Sequence, residues 1–303
     1  MPLIECVPNV SEGRRADVIA ALEDAIAVPG IHVLDRSSDA SHNRSVYTFA
    51  GQPAAIRDAV LRLFSAAIGA IDLRTHDGIH PRMGAVDVVP FVPLADATME
   101  DCVALAKETS ALIAERFGVP VFLYEEAAAT EERRSLADIR RGGMNGVALR
   151  MKQEAWRPDF GPAQPHPTAG TAAIGARPIL IAYNVNLASN HLGVARRIAT
   201  AIRASNGGLP HVKALGLQLD HSIVQVSMNL TNYKETSMAT AFDAVTREAA
   251  VDGVRVLESE IVGLVPADAL PADPARRLRL RAGHEDKVLE KRLETEYRKA
   301  KIE

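Results

Sequence analysis

The run T-H-D-G-I-H-P-R-M-G-A-V-D-V-V-P-F-V-P at residues 75–93 combines charged, polar and helix-breaking residues. Gly78 and Pro81 interrupt any helix here, whereas the apolar alternation that follows predicts a strand over residues 85–92. The polar residues therefore lie on a loop that enters a strand. Loops held by a rigid sheet are common positions for catalytic groups. We expect the chemical centre of the protein at this loop, with His80 as its central residue.

The composition of the chain excludes several classes of protein. Its 303 residues suggest two domains. Its net charge is −3, so the chain lacks the excess of basic residues that is typical of nucleic-acid-binding proteins. The N-terminus lacks the pattern of a signal peptide, and no segment approaches the roughly 18 apolar residues of a membrane span. We therefore expect a cytoplasmic protein with neither nucleic acid nor membrane as partner. Cys6 and Cys102 are far apart, which predicts buried, reduced thiols.

Apolar periodicity predicts the element order βαββαβ up to residue 93 and the same order again from Ile179. Such a repeat indicates an α+β or α/β sandwich fold with two ferredoxin-like subdomains. We predict that these subdomains comprise residues 1–176 and 177–303, the second ending in a charged helix. Because ligand sites favour domain junctions, we expect the ligand to bind between them.

Two polar segments interrupt this pattern. The segment 35–44 separates two strand-like runs, which predicts a hairpin with Asp35, Asp39 and Arg44 in its polar tip. Residues 151–170 lose periodicity and gain prolines and glycines, which predicts a long ordered loop. Structureless stretches of this length in compact proteins are usually binding loops or linkers.

General acid and base catalysis is the chemistry that the polar residues favour. His80 is the candidate, because an imidazole with a near-neutral pKa can both take and give a proton. Asp35 and Asp39 are candidates to orient its ring or to stabilise a developing cation. Arg44 and Arg82 belong to a local group of arginines, whose planar guanidinium suits carboxylates. The combination indicates group transfer on a small anionic substrate.

Other kinds of site have weaker support in the sequence. A zinc site on His76 and His80, with Asp77 and Asp87 nearby, stays open as an alternative, although H-E-x-x-H is absent and the loop cannot form the helix that this spacing needs. The G-x-S-x-G motif that would indicate a serine nucleophile is absent from the sequence. Neither G-x-G-x-x-G nor G-x-x-x-x-G-K-[ST] is present, so we expect no nucleotide cofactor.

Several motifs in fixed order resemble one known family. They are E-C-V-P-N-V-S-E-G at residues 5–13, N-R-S-V-Y-T-F at 43–49, H-P-R-M-G-A-V-D-V-V-P-F-V-P at 80–93, W-R-P-D-F-G-P at 156–162 and I-V-G-L-V-P at 261–266. Together they resemble the glutamate formimidoyltransferase (formiminotransferase) family, and the length of the chain resembles its stand-alone, single-function form. The likeness extends nearly from end to end.

This resemblance implies an activity in one-carbon metabolism and histidine degradation. The formimidoyl group of N-formimidoyl-L-glutamate would pass to N5 of tetrahydrofolate, giving 5-formimidoyltetrahydrofolate and L-glutamate. Tetrahydrofolate would be a co-substrate, and no metal is expected. The resemblance also implies a cytoplasmic homodimer whose two subdomains flank a substrate tunnel. Two alternatives remain, namely formyl transfer from N-formylglutamate to tetrahydrofolate and a folate-binding protein without catalysis.

The resemblance also assigns residues to roles. The catalytic histidine of the family corresponds to His80. Asp35 and Asp39 are then the candidate carboxylates for the cationic amidine carbon, and Arg82 and Arg44 for the substrates' carboxylates. The folate-binding stretch of the family corresponds to Gly161, Pro162, Ala163, Gln164, Pro165, His166, Pro167, Thr168, Ala169 and Gly170.

Overall fold

Two β-sheets organise the chain, one in the unit Met1–Arg177 and one in the unit Pro178–Glu303. The computed structural model describes residues 1–78 and 82–299. Both units combine helices with strands that are mainly antiparallel, in agreement with the predicted α+β class.

The first unit begins with the predicted order of strands and helices and then adds further elements. In chain order they are β1 (Ile4–Cys6), β2 (Asn9–Val10), α1 (Ala16–Ile26), β3 (Ile31–Asp39), β4 (Arg44–Gly51), α2 (Pro53–Ala70), β5 (Val86–Pro93), α3 (Met99–Phe117), β6 (Val121–Glu125), α4 (Leu136–Ile139), α5 (Gly143–Arg150) and β7 (Ala172–Ala176).

All seven strands of this unit belong to one sheet, in which both β1 and β2 pair with β4 and β5. β3 pairs with β4, and β7 and β6 continue the sheet beyond β5 in parallel. Along β6, Val121 and Leu123 belong to the main core with α1 to α3, whereas Phe122 and Tyr124 belong to a smaller cluster with residues of α4 and α5. Because side chains alternate across a strand, this part of the sheet is covered on both faces.

The second unit contains β8 (Ile181–Leu187), α6 (Leu192–Ile202), β9 (Val212–Gln218), β10 (Val224–Leu230), α7 (Met238–Val251), β11 (Val256–Val262), α8 (Pro274–Leu278) and the charged helix α9 (Leu289–Lys299). Its four strands are antiparallel in the order β11, β8, β10, β9. One face packs against α6 and α7 through apolar side chains. The other face carries a hydrogen-bonded set of polar residues, Asn184, Asn186, Gln225, Glu258 and Glu260.

The hairpin between β3 and β4 is longer than the sequence predicted. β3 extends to Asp39 and β4 begins at Arg44, so only residues 40–43 form the tip. The prediction that Asp35, Asp39 and Arg44 lie in the tip is therefore wrong. Asp35 pairs with Thr48 inside the hairpin, and Asp39 pairs with Arg44 at the last position of the two strands. An edge strand tolerates such polar residues, since one of its sides is free of a neighbouring strand.

The predicted loop at 151–170 is followed by a strand that the sequence did not reveal. Residues 172–176 read A-A-I-G-A, and alanine and glycine are depleted in strands. They form β7 because the segment is buried between β5 and β6. A side chain at Gly175 would clash with Tyr124, so the small residue fits this close approach.

Two further predictions concern the whole chain. Cys6 and Cys102 are both buried free thiols, which confirms the prediction made for them. Within the described residues, no helix combines the length and apolar character needed to cross a membrane.

Candidate active site

A small cavity lies at the segment between α2 and β5, residues 71–85, which we call the polar loop. Among the described residues it is lined by Val10, Ser11, His42, Asn43, Arg44, Arg82 and Asp87, and its volume is about 10 Å³, close to the space of one water molecule. Pockets for drug-sized ligands are far larger, roughly 300–1,000 Å³. The cavity therefore marks where polar and charged side chains of three segments meet.

Asp87 anchors the polar loop where it enters the sheet. It is the extra residue of a bulge in β5, because Val86 and Val88 pair with consecutive residues of β2. Bulges commonly redirect a side chain near functional sites. One carboxylate oxygen of Asp87 accepts a hydrogen bond from the Met83 N–H at 2.8 Å, and the other accepts from Arg140. Only 3% of the Asp87 side chain is exposed, so this ion pair is buried.

Charges of both signs lie around the cavity. Burial, together with the nearby Arg140, lowers the pKa of Arg44 to about 10, although Asp87 and Asp39 act in the opposite direction. Burial also lowers the pKa of Arg82. The lowered pKa values mean that burial makes both cations costly to hold. The carboxylate-binding role of Arg44 stays a prediction.

Arg82 lies across the polar loop. Its Nη1 donates to the carbonyl oxygen of Gly78 at 3.0 Å, and its Nη2 donates to that of His76 at 3.3 Å. These bonds tie the two described sides of the loop together. The prediction that Arg82 binds a substrate carboxylate stays a prediction. The structure shows that Arg82 also stabilises the polar loop through these two hydrogen bonds.

Asp39 lies at the end of β3 and pairs with a histidine that the sequence analysis had not singled out. The backbone N–H of His42 donates to Asp39 Oδ1 at 2.8 Å, and the ring Nδ1 is 3.0 Å from Oδ2. Although partial burial raises it, these bonds leave the pKa of Asp39 below its usual value. The side chain is therefore ionised at neutral pH. The catalytic roles expected for Asp39 and Asp35 stay predictions.

His80, the predicted catalytic residue, lies outside the described residues, as do Ile79 and Pro81. His76 is described, and burial together with the nearby Arg82 lowers its pKa. Its imidazole is therefore neutral at physiological pH. Within residues 1–78 and 82–299, no three acidic, cysteine or histidine side chains cluster as metal ligands do. The zinc alternative requires His80 and stays untested.

The end of the predicted folate stretch contacts the polar loop. Residues 161–164 are exposed, whereas Ala169 and Gly170 are buried. The Ala85 N–H donates to the Ala169 carbonyl oxygen at 2.9 Å. Gly170 has a φ of 71°, and any side chain there would clash with the carbonyl oxygen of Met83. The buried end of this stretch therefore contacts the polar loop, the segment whose sequence includes His80.

His166 stabilises the turn of the folate stretch itself. Its Nδ1 accepts hydrogen bonds from the backbone N–H of Ala169 at 3.0 Å and of Thr168 at 3.3 Å. Its N–H and carbonyl group also exchange hydrogen bonds with Gly170. These contacts give His166 a structural part, and its predicted contact with folate stays a prediction.

A buried ion pair fixes the W-R-P-D-F-G-P motif that precedes the folate stretch. Asp159 Oδ1 accepts from Arg133 at 2.9 Å, and its Oδ2 accepts from the Leu123 N–H at 2.7 Å. Arg133 also donates to the carbonyl oxygens of Ala155 and Arg157 at 2.6 and 2.7 Å. The motif is thereby attached to β6. Its aspartate has a structural part in the first unit.

Several side chains of the site were not identified from the sequence. Ser11, Asn43 and His42 line the cavity, and Arg140 holds Asp87. Ser11 and Asn43 lie in the motifs at residues 5–13 and 43–49, and these motifs were the only indication in the sequence that the two residues belong to the site. A motif does not show what its polar residues contact, and these partners are distant in the chain.

The chain is similar to known proteins along most of its length. A family model described as the formiminotransferase domain, N-terminal subdomain, matches residues 3–177, and a second described as the formiminotransferase domain matches residues 182–276. A glutamate formimidoyltransferase from Streptococcus pyogenes serotype M1 is 45% identical over 270 residues, which cover 88% of this chain and 90% of that protein.

Two further relatives show the same similarity. A glutamate formimidoyltransferase from Thermoplasma acidophilum is 47% identical over 298 residues, covering 97% of this chain and 98% of that protein. A formimidoyltransferase-cyclodeaminase from Dictyostelium discoideum is 44% identical over 279 residues, covering 88% of this chain and 51% of that protein. These matches confirm the resemblance found in the sequence motifs, and the chain belongs to the formiminotransferase family.

Proposed function

We propose that the protein transfers the formimidoyl group of N-formimidoyl-L-glutamate to N5 of tetrahydrofolate. The observation that carries this proposal is the 47% identity, over nearly the full length of both chains, to a protein named glutamate formimidoyltransferase. The reaction forms a bond from N5 to the amidine carbon and breaks the bond from that carbon to the glutamate nitrogen. One proton moves from N5 to that nitrogen. Tetrahydrofolate is the co-substrate.

The cavity residues fit the donor in this proposal. The donor carries glutamate carboxylates, for which the guanidinium groups of Arg44 and Arg82 at the cavity are suitable partners. His80 is the general base for the N5 proton and then the general acid for the departing amine. Asp39, and Asp35 on the same strand, supply negative charge for the amidinium-like carbon. Residues 161–170 hold the folate.

The finer features of fold and assembly are part of the same proposal. Each unit contains the order βαββαβ, with the first strand between the third and the fourth. That arrangement supports two ferredoxin-like subdomains, residues 1–176 and 177–303. We also propose that the protein acts as a homodimer in the cytoplasm, as the family resemblance implies.

The test uses the purified full-length protein with tetrahydrofolate and either N-formimidoyl-L-glutamate or N-formyl-L-glutamate, with and without a chelator. Product is identified by its absorbance and mass. We expect fast transfer with the formimidoyl donor, no effect of the chelator, and little transfer with the formyl donor. Preference for the formyl donor would change the assigned substrate. Folate binding without transfer from either donor would overturn the proposed activity.

A further inference from the structure

Three segments of the first unit meet at the side chain of Asn43. This residue closes the hairpin tip between β3 and β4, is 7% exposed, and has a φ of 49°. Its Oδ1 accepts a hydrogen bond from the Gly13 N–H at 2.9 Å. Its Nδ2 donates to the carbonyl oxygen of Asp77 at 2.7 Å. One amide therefore connects the segment after β2, the hairpin tip and the polar loop.

The three segments are packed so closely that glycines stand at the contacts. A side chain at Gly13 would clash with the backbone of Asp39 and Arg44. A side chain at Gly78 would clash with the carbonyl oxygen of His42 and approach Asn43 Cβ. Since the backbones approach so closely, a shift in the hairpin tip is transmitted to the polar loop.

Asparagine has three properties that this position uses together. It tolerates the left-handed φ better than most residues. Its amide is at once an acceptor for Gly13 and a donor for Asp77, which a carboxylate or a hydroxyl cannot reproduce in the same geometry. Its side chain is short enough to lie buried between the two partners.

We propose that Asn43 is a positioning residue for the transfer reaction, an inference that rests on the proposed function. Asn43 fixes Asp77, and Arg82 fixes His76 and Gly78, so both hold the polar loop on the side that precedes His80. A displacement of about 1 Å in a reacting group lowers the rate by roughly 100-fold. Loss of the Asn43 bonds therefore lowers turnover by displacing the loop, and substrate binding changes little.

Two substitutions separate the contributions of this side chain. Asn43→Gly keeps the left-handed backbone accessible and removes both side-chain bonds. Asn43→Asp keeps the acceptor for Gly13 and places a carboxylate oxygen against the Asp77 carbonyl oxygen. Asn190→Asp makes the same chemical change at an exposed position of the second unit and is the matched control. Unfolding temperature and steady-state kinetics are measured for all three.

We expect kcat to fall about 10- to 100-fold in both Asn43 variants, with KM values within about threefold of the wild type. The control keeps the wild-type kcat. The Asn43→Asp variant gives a further readout through pH. The protonated carboxyl group is again a donor toward Asp77, whereas the carboxylate is not. Burial and Asp87 raise the pKa of this group, and the cations Arg44 and Arg82, with His42 when it is protonated, lower it. The ratio of the kcat of this variant to that of the wild type therefore rises as the pH falls through the pKa of the new carboxyl group.

Three results would overturn the inference. One is an unchanged kcat in both folded variants. Another is a rise in KM with kcat unchanged, which would make Asn43 a binding residue. The third is loss of the folded state in both variants at every pH, which would make it a residue of the fold only. The assay of the wild-type protein tests the proposed function separately. If the wild-type protein transfers no group from either donor, the proposed function itself is overturned.

Discussion

The two units share a βαββαβ order but differ in the connection between the second helix and the last strand of that order. In the first unit, residues 71–85 connect α2 to β5, whereas in the second unit residues 252–255 connect α7 to β11. The short connection is a tight turn in which Gly253 has a φ of 66°. The long one has no helix or strand of its own among its described residues.

The difference shows how a long connection can be held in place without regular structure. Ordering the backbone of one residue costs roughly 1–2 kcal/mol, so a loop of this length needs contacts from outside itself. In the first unit the contacts from outside are the bond from Asn43, the bond from Met83 to Asp87 of β5, and the buried end of the folate stretch. Arg82 adds hydrogen bonds within the loop. In the second unit Asp252 bonds to the exposed Arg197. The same topology thus carries a polar site in one unit and a simple turn in the other.

Removal of His80 is expected to give the largest effect. His80→Ala should lower kcat by about 10²- to 10⁴-fold, the usual contribution of a positioned acid or base, and leave folate affinity nearly unchanged. His221→Ala, in the exposed connection between β9 and β10, is the control and should keep full activity. In the wild type, the rate should fall below a pKa near about 6.5, because the base must begin neutral. Steady-state kinetics from about pH 5 to pH 8 test both points.

The zinc alternative makes a different prediction for the same loop. His76→Ala should lower kcat far less than His80→Ala if His80 alone transfers the proton. Equal loss of activity in both variants, with recovery of a chelated wild type on addition of zinc, would place a metal in the polar loop.

The ion pairs at the two connections should differ widely in their effect on stability. Asp87→Ala leaves Arg140 buried without its carboxylate, which is expected to lower the free energy of unfolding by about 3–5 kcal/mol. Asp252→Ala breaks a pair whose side chains are 40% and 30% exposed, and should cost about 0–1 kcal/mol. Chemical denaturation of both variants measures the difference. Equal losses would show that the long connection depends no more on its anchor than the short one.

The boundaries of α3 could be predicted from the sequence because their signals are local. Thr98 and Asp101 form the capping box that their spacing indicates, and Gly118 ends α3 with a φ of 64°. The strand β7 could not be predicted in the same way. Its alanines and glycine carry no strand preference, and only the neighbouring β5 and β6 make the segment extended.

The position of the polar loop between α2 and β5 could be predicted from the sequence, but its contacts could not. The concentration of polar residues indicated a loop that enters a strand, and the structure brings Arg44 and the end of the folate stretch close to it. The partners of Asp39 and Asp87 could not be read from the sequence. Arg140 is 53 positions from Asp87 in the chain. Nothing in the sequence distinguishes it from the arginines that form ion pairs on the surface.

Replacing a glutamate by glutamine should have opposite effects on stability in the two sheets. Burial raises the pKa of Glu5 on β1 to about 7, although Arg177 lowers it. Because the folded-state pKa lies above the ordinary value of 4.5, the contribution of Glu5 to stability is full below about pH 4.5 and is lost as the pH rises through about 7. Glu5→Gln should therefore raise the free energy of unfolding by about 2–3 kcal/mol above pH 7, and by less near pH 5.

The control for Glu5 lies on the second sheet. Glu260 accepts hydrogen bonds from Asn184 at 3.0 Å and from Arg281 at 2.8 Å. Glu260→Gln weakens the bond from the arginine, so it should lower stability at neutral pH. Chemical denaturation of both variants at about pH 5 and about pH 8 measures the gain of stability expected for Glu5→Gln and the loss expected for Glu260→Gln. A Glu5→Gln variant that loses stability at the higher pH would show that its carboxylate is needed by Arg177.

The smallest effect is expected from Arg44, one of the two arginines that line the cavity. Burial, together with the nearby Arg140, lowers the pKa of Arg44, whereas Arg281 of the second unit forms ion pairs with Glu258 and Glu260. If Arg44 binds a substrate carboxylate, Arg44→Met should raise the KM for N-formimidoyl-L-glutamate roughly tenfold, about 1.4 kcal/mol, with kcat nearly unchanged. Arg197→Met removes an exposed arginine of the second unit and should leave KM unchanged. A fall in kcat at constant KM would mean that Arg44 acts on the transition state alone, and its buried charge would then belong to catalysis and not to donor binding.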